Sequence, residues 1–217
     1  MQISNRNDGT NFTSTPVRFV NLKNRAKTGD RFVKAVLTKL DPNDADDLGA
    51  LKMAIKNWKA KHSLGDDFLN KFEAKSRDFG FNAVELISEK PLAKRIVGLV
   101  STSIDDLEGI SLFSLETLFA KPNLTKRKWG RKISGIGEIM LAEAIFKAKQ
   151  ANSLTISFTS STSALEFYTK SFKKAGIELT KKNYIEKMKN FWIENKDFDK
   201  YLKYIEKEYD MNFSATI

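Results

Sequence analysis

The apolar and polar positions of this chain change period several times along its length. Arg31–Leu40 alternates as a first strand. Asp41-Pro42-Asn43-Asp44 then caps a helix running to about Lys61, with Leu48, Leu51, Ile55 and Trp58 at helical spacing. A second helix starts near Asp66-Asp67 and carries Phe68, Leu69 and Phe72. Three β-rich runs follow, at 81–87, 95–102 and 109–119, with short breaks that predict an antiparallel meander. After a basic loop, the run from Ile136 to Phe146 predicts a strongly apolar helix. Its few polar positions, Glu143, Lys147 and Gln150, form one narrow solvated stripe on this reading. Ser153–Phe158 is a further strand. A helix follows from about Ser160, with Ser163 and Glu166 at capping-box spacing. Gly176–Thr180 predicts a short strand, and residues 182–209 read as helix from Tyr184, Met188, Phe191, Trp192, Tyr201, Leu202 and Ile205.

Three segments follow from this pattern. Residues 1–29, rich in Asn, Ser, Thr, Arg and Lys, predict a disordered or loosely attached segment. Residues 30–180 form the main domain, and 181–217 a helical C-terminal extension packed on it. No apolar run approaches the roughly 20 residues that cross a bilayer, and residues 1–20 lack the apolar block of a secretory signal.

The chain of 217 residues has no cysteine, which excludes disulfides, thiol nucleophiles and thiolate metal sites, and fits a cytoplasmic setting. Its single histidine, His62, lies in a polar helix end, so histidine-based catalysis and a multi-His metal site are not expected. The net charge of +10 favours an anionic partner. Much of that charge is spread over helices beside Glu and Asp, but residues 126–132 concentrate five basic residues with no acid.

The chemistry concentrates at Lys132-Ile133-Ser134-Gly135-Ile136-Gly137-Glu138. Gly135 and Gly137 let a backbone turn tightly and approach another group closely. The helix they open offers unpaired N–H groups and a partial positive charge to a phosphate. Arg127, Lys128, Arg131 and Lys132 crowd the approach. A phosphate-bearing cofactor seated on residues 132–138 is therefore expected.

Two motifs in this order carry a resemblance to the GNAT superfamily of acyl-CoA-dependent N-acetyltransferases, over roughly residues 31–180. Lys132–Gly137 is similar to the family's Gln/Arg-x-x-Gly-x-Gly/Ala, with Lys in the first place and Arg131 one residue earlier. Ala164-Leu165-Glu166-Phe167-Tyr168 is similar to its Ala-x-x-Phe-Tyr on the helix after the fifth strand. The resemblance implies an α/β fold of the α+β mixed-sheet kind: antiparallel strands splayed next to a parallel pair, flanked by helices. It implies acetyl-CoA as acyl donor, with its pyrophosphate on Ser134, Gly135, Ile136, Gly137 and Glu138 and charge from Arg131 and Lys132. Amides near Leu118 and Phe119 then hold the pantetheine arm and polarise the thioester. Tyr168 protonates the leaving thiolate, and Glu116 takes the proton of the attacking amine. The acceptor is a protein amine, a small amine or an aminoacyl-tRNA, as in a bacterial toxin or delivered effector with this architecture. The loop before Gly135 is longer and more basic than in the family, Ser161 stands where Asn commonly precedes the Ala, and the family's last two strands have no evident counterpart after Gly176.

A second class of function is a nucleic-acid-binding module using 121–132 and the Lys-rich tail. Its aromatic residues, however, sit at core-like spacing and are not interleaved with Arg on a stacking surface. A third is a degenerate GNAT-like fold that works by protein contact. A dinucleotide-binding domain fits poorly, because the third glycine is missing.

Overall fold

In the computed structural model, residues 15–24, 32–58, 63–75, 79–87, 96–108, 110–120, 133–159, 162–179, 184–185 and 190–213 are described. Strands β1 (Thr15–Asn24) and β2 (Phe32–Lys39) lead to helices α1 (Ala45–Asn57) and α2 (Ser63–Glu73). The meander β3 (Phe79–Leu86), β4 (Ile96–Leu107) and β5 (Ile110–Ala120) comes next. A short β6 (Ile133–Ser134) leads into α3 (Ile136–Gln150), then β7 (Thr155–Thr159) and α4 (Thr162–Lys174). The chain ends in β8 (Tyr184–Ile185), β9 (Asn190–Glu194), a 3-10 turn and α5 (Phe198–Tyr209).

The described strands form one sheet in the order β6-β1-β2-β3-β4-β5-β7-β9-β8. All neighbours are antiparallel except β5 and β7, which pair in parallel over only Phe113–Leu115 and Ile156–Phe158. The mixed sheet expected from the sequence is thus the observed one. Beyond Leu115, β5 keeps its β4 partner but pairs with no described β7 residue. β7 itself ends one residue later, at Thr159.

Each face of the sheet carries its own core. On one side α1 and α2 bring Leu51, Ile55, Trp58, Phe68 and Phe72 against Phe81, Leu99 and Phe119. On the other, α3, α4 and α5 bury Ile139, Met140, Ile145, Phe172, Tyr201 and Ile205 against Leu22, Leu37, Val100 and Phe158. A β-strand offers alternate residues to its two faces, so both cores can be fed from one strand.

Four expectations need correction. Residues 15–24 are not a loose segment: β1 is fully paired with β2, and Arg18, Val20 and Leu22 point inward, all buried. Residues 190–194 are not helix: β9 pairs with β7 and buries Phe191 and Ile193, so only α5 matches the expected helical extension. Residues 177–179 form no strand. The polar stripe of α3 is solvated at Gln150 but not at Glu143. Glu143 is 2 % exposed and lies 3.3 Å from Arg18 on β1, while Lys147 donates to Asn82 on β3. A helix apolar on nearly every side is covered on every side, and its polar residues must then find partners inside. Ser163 falls inside the first turn of α4, which begins at Thr162. No described helix is long and apolar enough to cross a membrane.

The start of α1 yields a stability prediction. Asp44 caps the helix by accepting from the Asp46 and Asp47 amides. Asp47 itself is buried, accepts from the Asp41 amide at 2.8 Å, and leaves Oδ1 without a hydrogen-bond partner. Burial lifts its carboxyl from 3.8 to about 6; the Asp41 amide opposes that rise, and the charges of Asp44, Asp41 and Asp46 add to it. The folded state therefore holds this proton more tightly than the unfolded chain. That contribution is present below about pH 4 and is lost as pH rises through about 6. Asp47→Asn is expected to gain about 1 kcal/mol at pH 7.5 after solvent screening, and nothing at pH 3.5. Thermal melts at the two pH values check this.

Candidate functional site

The turn into α3 is built as its glycines require. Gly135 stands at the N-cap with φ of 101°, a left-handed conformation that side chains resist, and its carbonyl accepts from the Ile139 amide at 2.9 Å. A Cβ at Gly135 would lie 2.7 Å from Tyr209 Cζ, and one at Gly137 would lie 2.9 Å from Phe167 Cζ. The turn is thus closely covered by the end of α5 on one side and by α4 on the other. Between them opens a cavity of about 390 Å³.

That cavity joins Ser134, Gly135, Gly137 and Glu138 to Phe167 and Tyr209, and to three lysines, Lys23, Lys170 and Lys174. The N-terminus of a fifteen-residue helix faces this pocket with the three ammonium groups, and Glu138, Glu166 and Glu208 line it as well, one carboxylate for each lysine. Ile136 belongs to the turn, but its side chain is 1 % exposed and packs in the core, so only its backbone could serve. Arg131 and Lys132, with the whole basic loop 121–132, lie outside the described residues, as does His62. The three lysines were not singled out by the motif. Lys23 belongs to a strand that the composition hid, and Lys170 and Lys174 reach the pocket only because α4 packs beside the glycine turn.

The expected catalytic residues lie away from this cavity. Tyr168 is 4 % exposed, with its ring 5.4 Å from Phe158 and 5.1 Å from Phe191, centroid to centroid. Burial pushes its phenol well above the ordinary range. Glu116 stands on β5 at a bulge. Ser101 pairs with Thr117 and Thr102 with Leu115, leaving Glu116 as the extra residue. The bulge re-aims the strand: Leu115 faces the α3 side, whereas Thr117 bonds Asp67 of α2 at 3.1 Å and Phe119 packs 5.1 Å from Trp58 of α1. Glu116 Oε1 accepts from Ser103 Oγ at 2.7 Å, and Oε2 from Lys71 Nζ at 3.2 Å. Lys71 is partly buried, which disfavours its charge. Hydrogen bonds and charge from Asp67 and Glu116 outweigh that, and its ammonium is held above its usual range. Leu118 and Phe119 fall on the stretch of β5 beyond its last pair with β7.

The strand order, the single parallel pair of β5 with β7, and the glycine turn opening α3 make this the GNAT fold. No family model and no curated protein matches the chain. A solved complex of AtaTR bound with AcCoA shares the fold, with a TM-score of 0.51 at 10% identity, covering 76% of this chain and 96% of that one. An aminoglycoside acetyltransferase from an uncultured soil metagenomic sample, in complex with sisomicin, is similar at a TM-score of 0.43 and 14% identity, over 62% of this chain and 84% of its own. An integron cassette protein from the mobile metagenome of V. cholerae gives 0.45 and 14%, over 70% and 90%.

Proposed function

We propose that this chain is an acetyl-CoA-dependent N-acetyltransferase. The observation that carries the reading is the glycine turn of α3 facing a cavity lined by Lys23, Lys170 and Lys174, in a sheet whose one parallel pair among the described strands is β5 and β7. The AcCoA-bound complex of the same fold supports acetyl-CoA as the ligand.

In this reading the cofactor's phosphates rest on the backbone of Ser134, Gly135, Ile136, Gly137 and Glu138, with Arg131 and Lys132 adding charge. In the same reading β5 splays from β7 beyond Leu115 and the pantetheine arm enters the gap, where backbone amides near Leu118 and Phe119 hydrogen-bond it and polarise the thioester carbonyl. An amine nitrogen then attacks the carbonyl carbon; the C–N bond forms and the C–S bond breaks. The amine's proton passes to Glu116, directly or through one water, once Lys71 or Ser103 releases an oxygen. Tyr168 gives its proton to the departing thiolate. Direct attack needs no acyl-enzyme, in keeping with a chain that has no cysteine.

The test is release of free CoA thiol from acetyl-CoA in the presence of a small polyamine, a lysine-containing peptide and an aminoacyl-tRNA in turn. Acceptor-dependent release with at least one amine is expected. Binding of acetyl-CoA without transfer to any amine class would favour a non-catalytic role for the fold.

A further inference from the structure

Glu138 is an unusual resident for an anion seat. It lies in the first turn of α3, beside the glycine turn, and is 8 % exposed. One carboxylate oxygen accepts from Lys174 Nζ at 2.7 Å, and the other from the Tyr209 hydroxyl. Neither donor belongs to α3: Lys174 ends α4 and Tyr209 ends α5. The pocket's other two lysines are engaged in the same way, Lys23 with Glu208 and Lys170 with Glu166. Each cation of the cavity is thus neutralised by a carboxylate of the cavity itself.

We propose that Lys174 and Tyr209 are phosphate-binding residues, that Glu138 takes the phosphate's place on them in the free protein, and that Glu138 thereby sets the affinity of the pocket. The inference rests on the acetyl-CoA reading of the site. Two donors converging from separate helices on one carboxylate have the arrangement that a phosphate oxygen pair would need. A phosphate brings more charge and a further acceptor oxygen, whereas Glu138 is tethered and competes at high effective concentration. The Lys174 side chain is 55% exposed and can follow a new partner, while Tyr209 is 2 % exposed and stays in place as the fixed donor. Burial, and then the charge and hydrogen bond of Glu138, raise the Tyr209 phenol far above its usual range. It therefore remains a donor whichever anion it faces.

Calorimetric titration with acetyl-CoA tests this on the full chain. Glu138→Gln keeps the shape of the side chain and removes its charge, and is expected to lower Kd about tenfold or more. Lys174→Met is expected to raise Kd about tenfold, and Tyr209→Phe about threefold to tenfold, each removing a donor from the phosphate. Glu166→Gln removes the same charge from the rim without touching Lys174 or Tyr209, and its gain is expected to be clearly smaller. A parent that binds while Glu138→Gln binds no tighter overturns this inference and leaves the acetyl-CoA reading standing. Equal gains in Glu138→Gln and Glu166→Gln overturn it too, since pocket charge alone would then account for both. No binding in the parent or any variant overturns the acetyl-CoA reading and this inference together. Should Glu138→Gln fail to fold, unchanged affinity in folded Lys174→Met and Tyr209→Phe is the contradicting result.

Discussion

Arg18→Met is expected to destabilise the fold by about 3–5 kcal/mol at neutral pH, the usual cost of stranding one member of a buried ion pair. Arg18 is 3 % exposed. Its guanidinium lies 3.3 Å from Glu143, donates to the Phe213 carbonyl at 3.0 Å, and sits 4.6 Å from the Phe146 ring centroid and 4.9 Å from that of Phe213. One side chain thus ties β1, α3 and the residues after α5 together. Burial already lifts the Glu143 carboxyl above its usual range, and Arg18 and Lys147 hold that rise down. Without Arg18 the carboxyl must stay charged and underpaired or take up a proton. The deficit should therefore shrink as pH falls, because protonation relieves the stranded charge. Arg18→Met with Glu143→Leu should recover most of the loss, since a buried pair replaced by apolar groups is often neutral. Urea denaturation of the two single variants and the double gives the cycle. An additive double variant would mean that the pair contributes nothing as a pair.

Tyr168→Phe is expected to lower kcat about 10²- to 10³-fold with KM for acetyl-CoA little changed, the range of a lost general acid. Because the ring stays, the packing with Phe158, Phe167 and Phe191 should survive, and the melting temperature should move by no more than about 4 °C. That contrast separates proton donation from anchoring. A variant that turns over at the parent rate would confine Tyr168 to the aromatic core, where its burial already gives it a structural part. A variant that loses stability and activity together would assign the hydroxyl a structural bond in place of a chemical one.

What could be read from the chain divides by how local the information is. The glycine turn, the apolar helix behind it and the three-strand meander were legible because each is a run of consecutive residues with one period. β1 was not. Its inward positions are Arg18, Val20 and Leu22, and an arginine at the first of them reads as surface when its partner lies 125 positions away in Glu143. β9 was missed for a related reason. Phe191 and Ile193 alternate correctly, but they stand in a Lys- and Glu-rich stretch where the spacing of Tyr184, Met188 and Phe191 imitates a helix. The solvated stripe assigned to Glu143 and Lys147 failed because polarity alone does not reveal which face of a helix meets polar partners. At the site, the glycine turn that opens α3 was visible in the motif. The donors on Glu138 come from positions 36 and 71 residues away, and only the packing of α4 and α5 brings them there.

The cavity at the start of α3 is the seat proposed for acetyl-CoA. The most direct measurement is calorimetric titration of the parent protein with acetyl-CoA at moderate ionic strength. Saturable one-to-one binding, weakened by added salt as the three lysines of the pocket require, is the predicted result. No heat and no competition by CoA at millimolar ligand would contradict it.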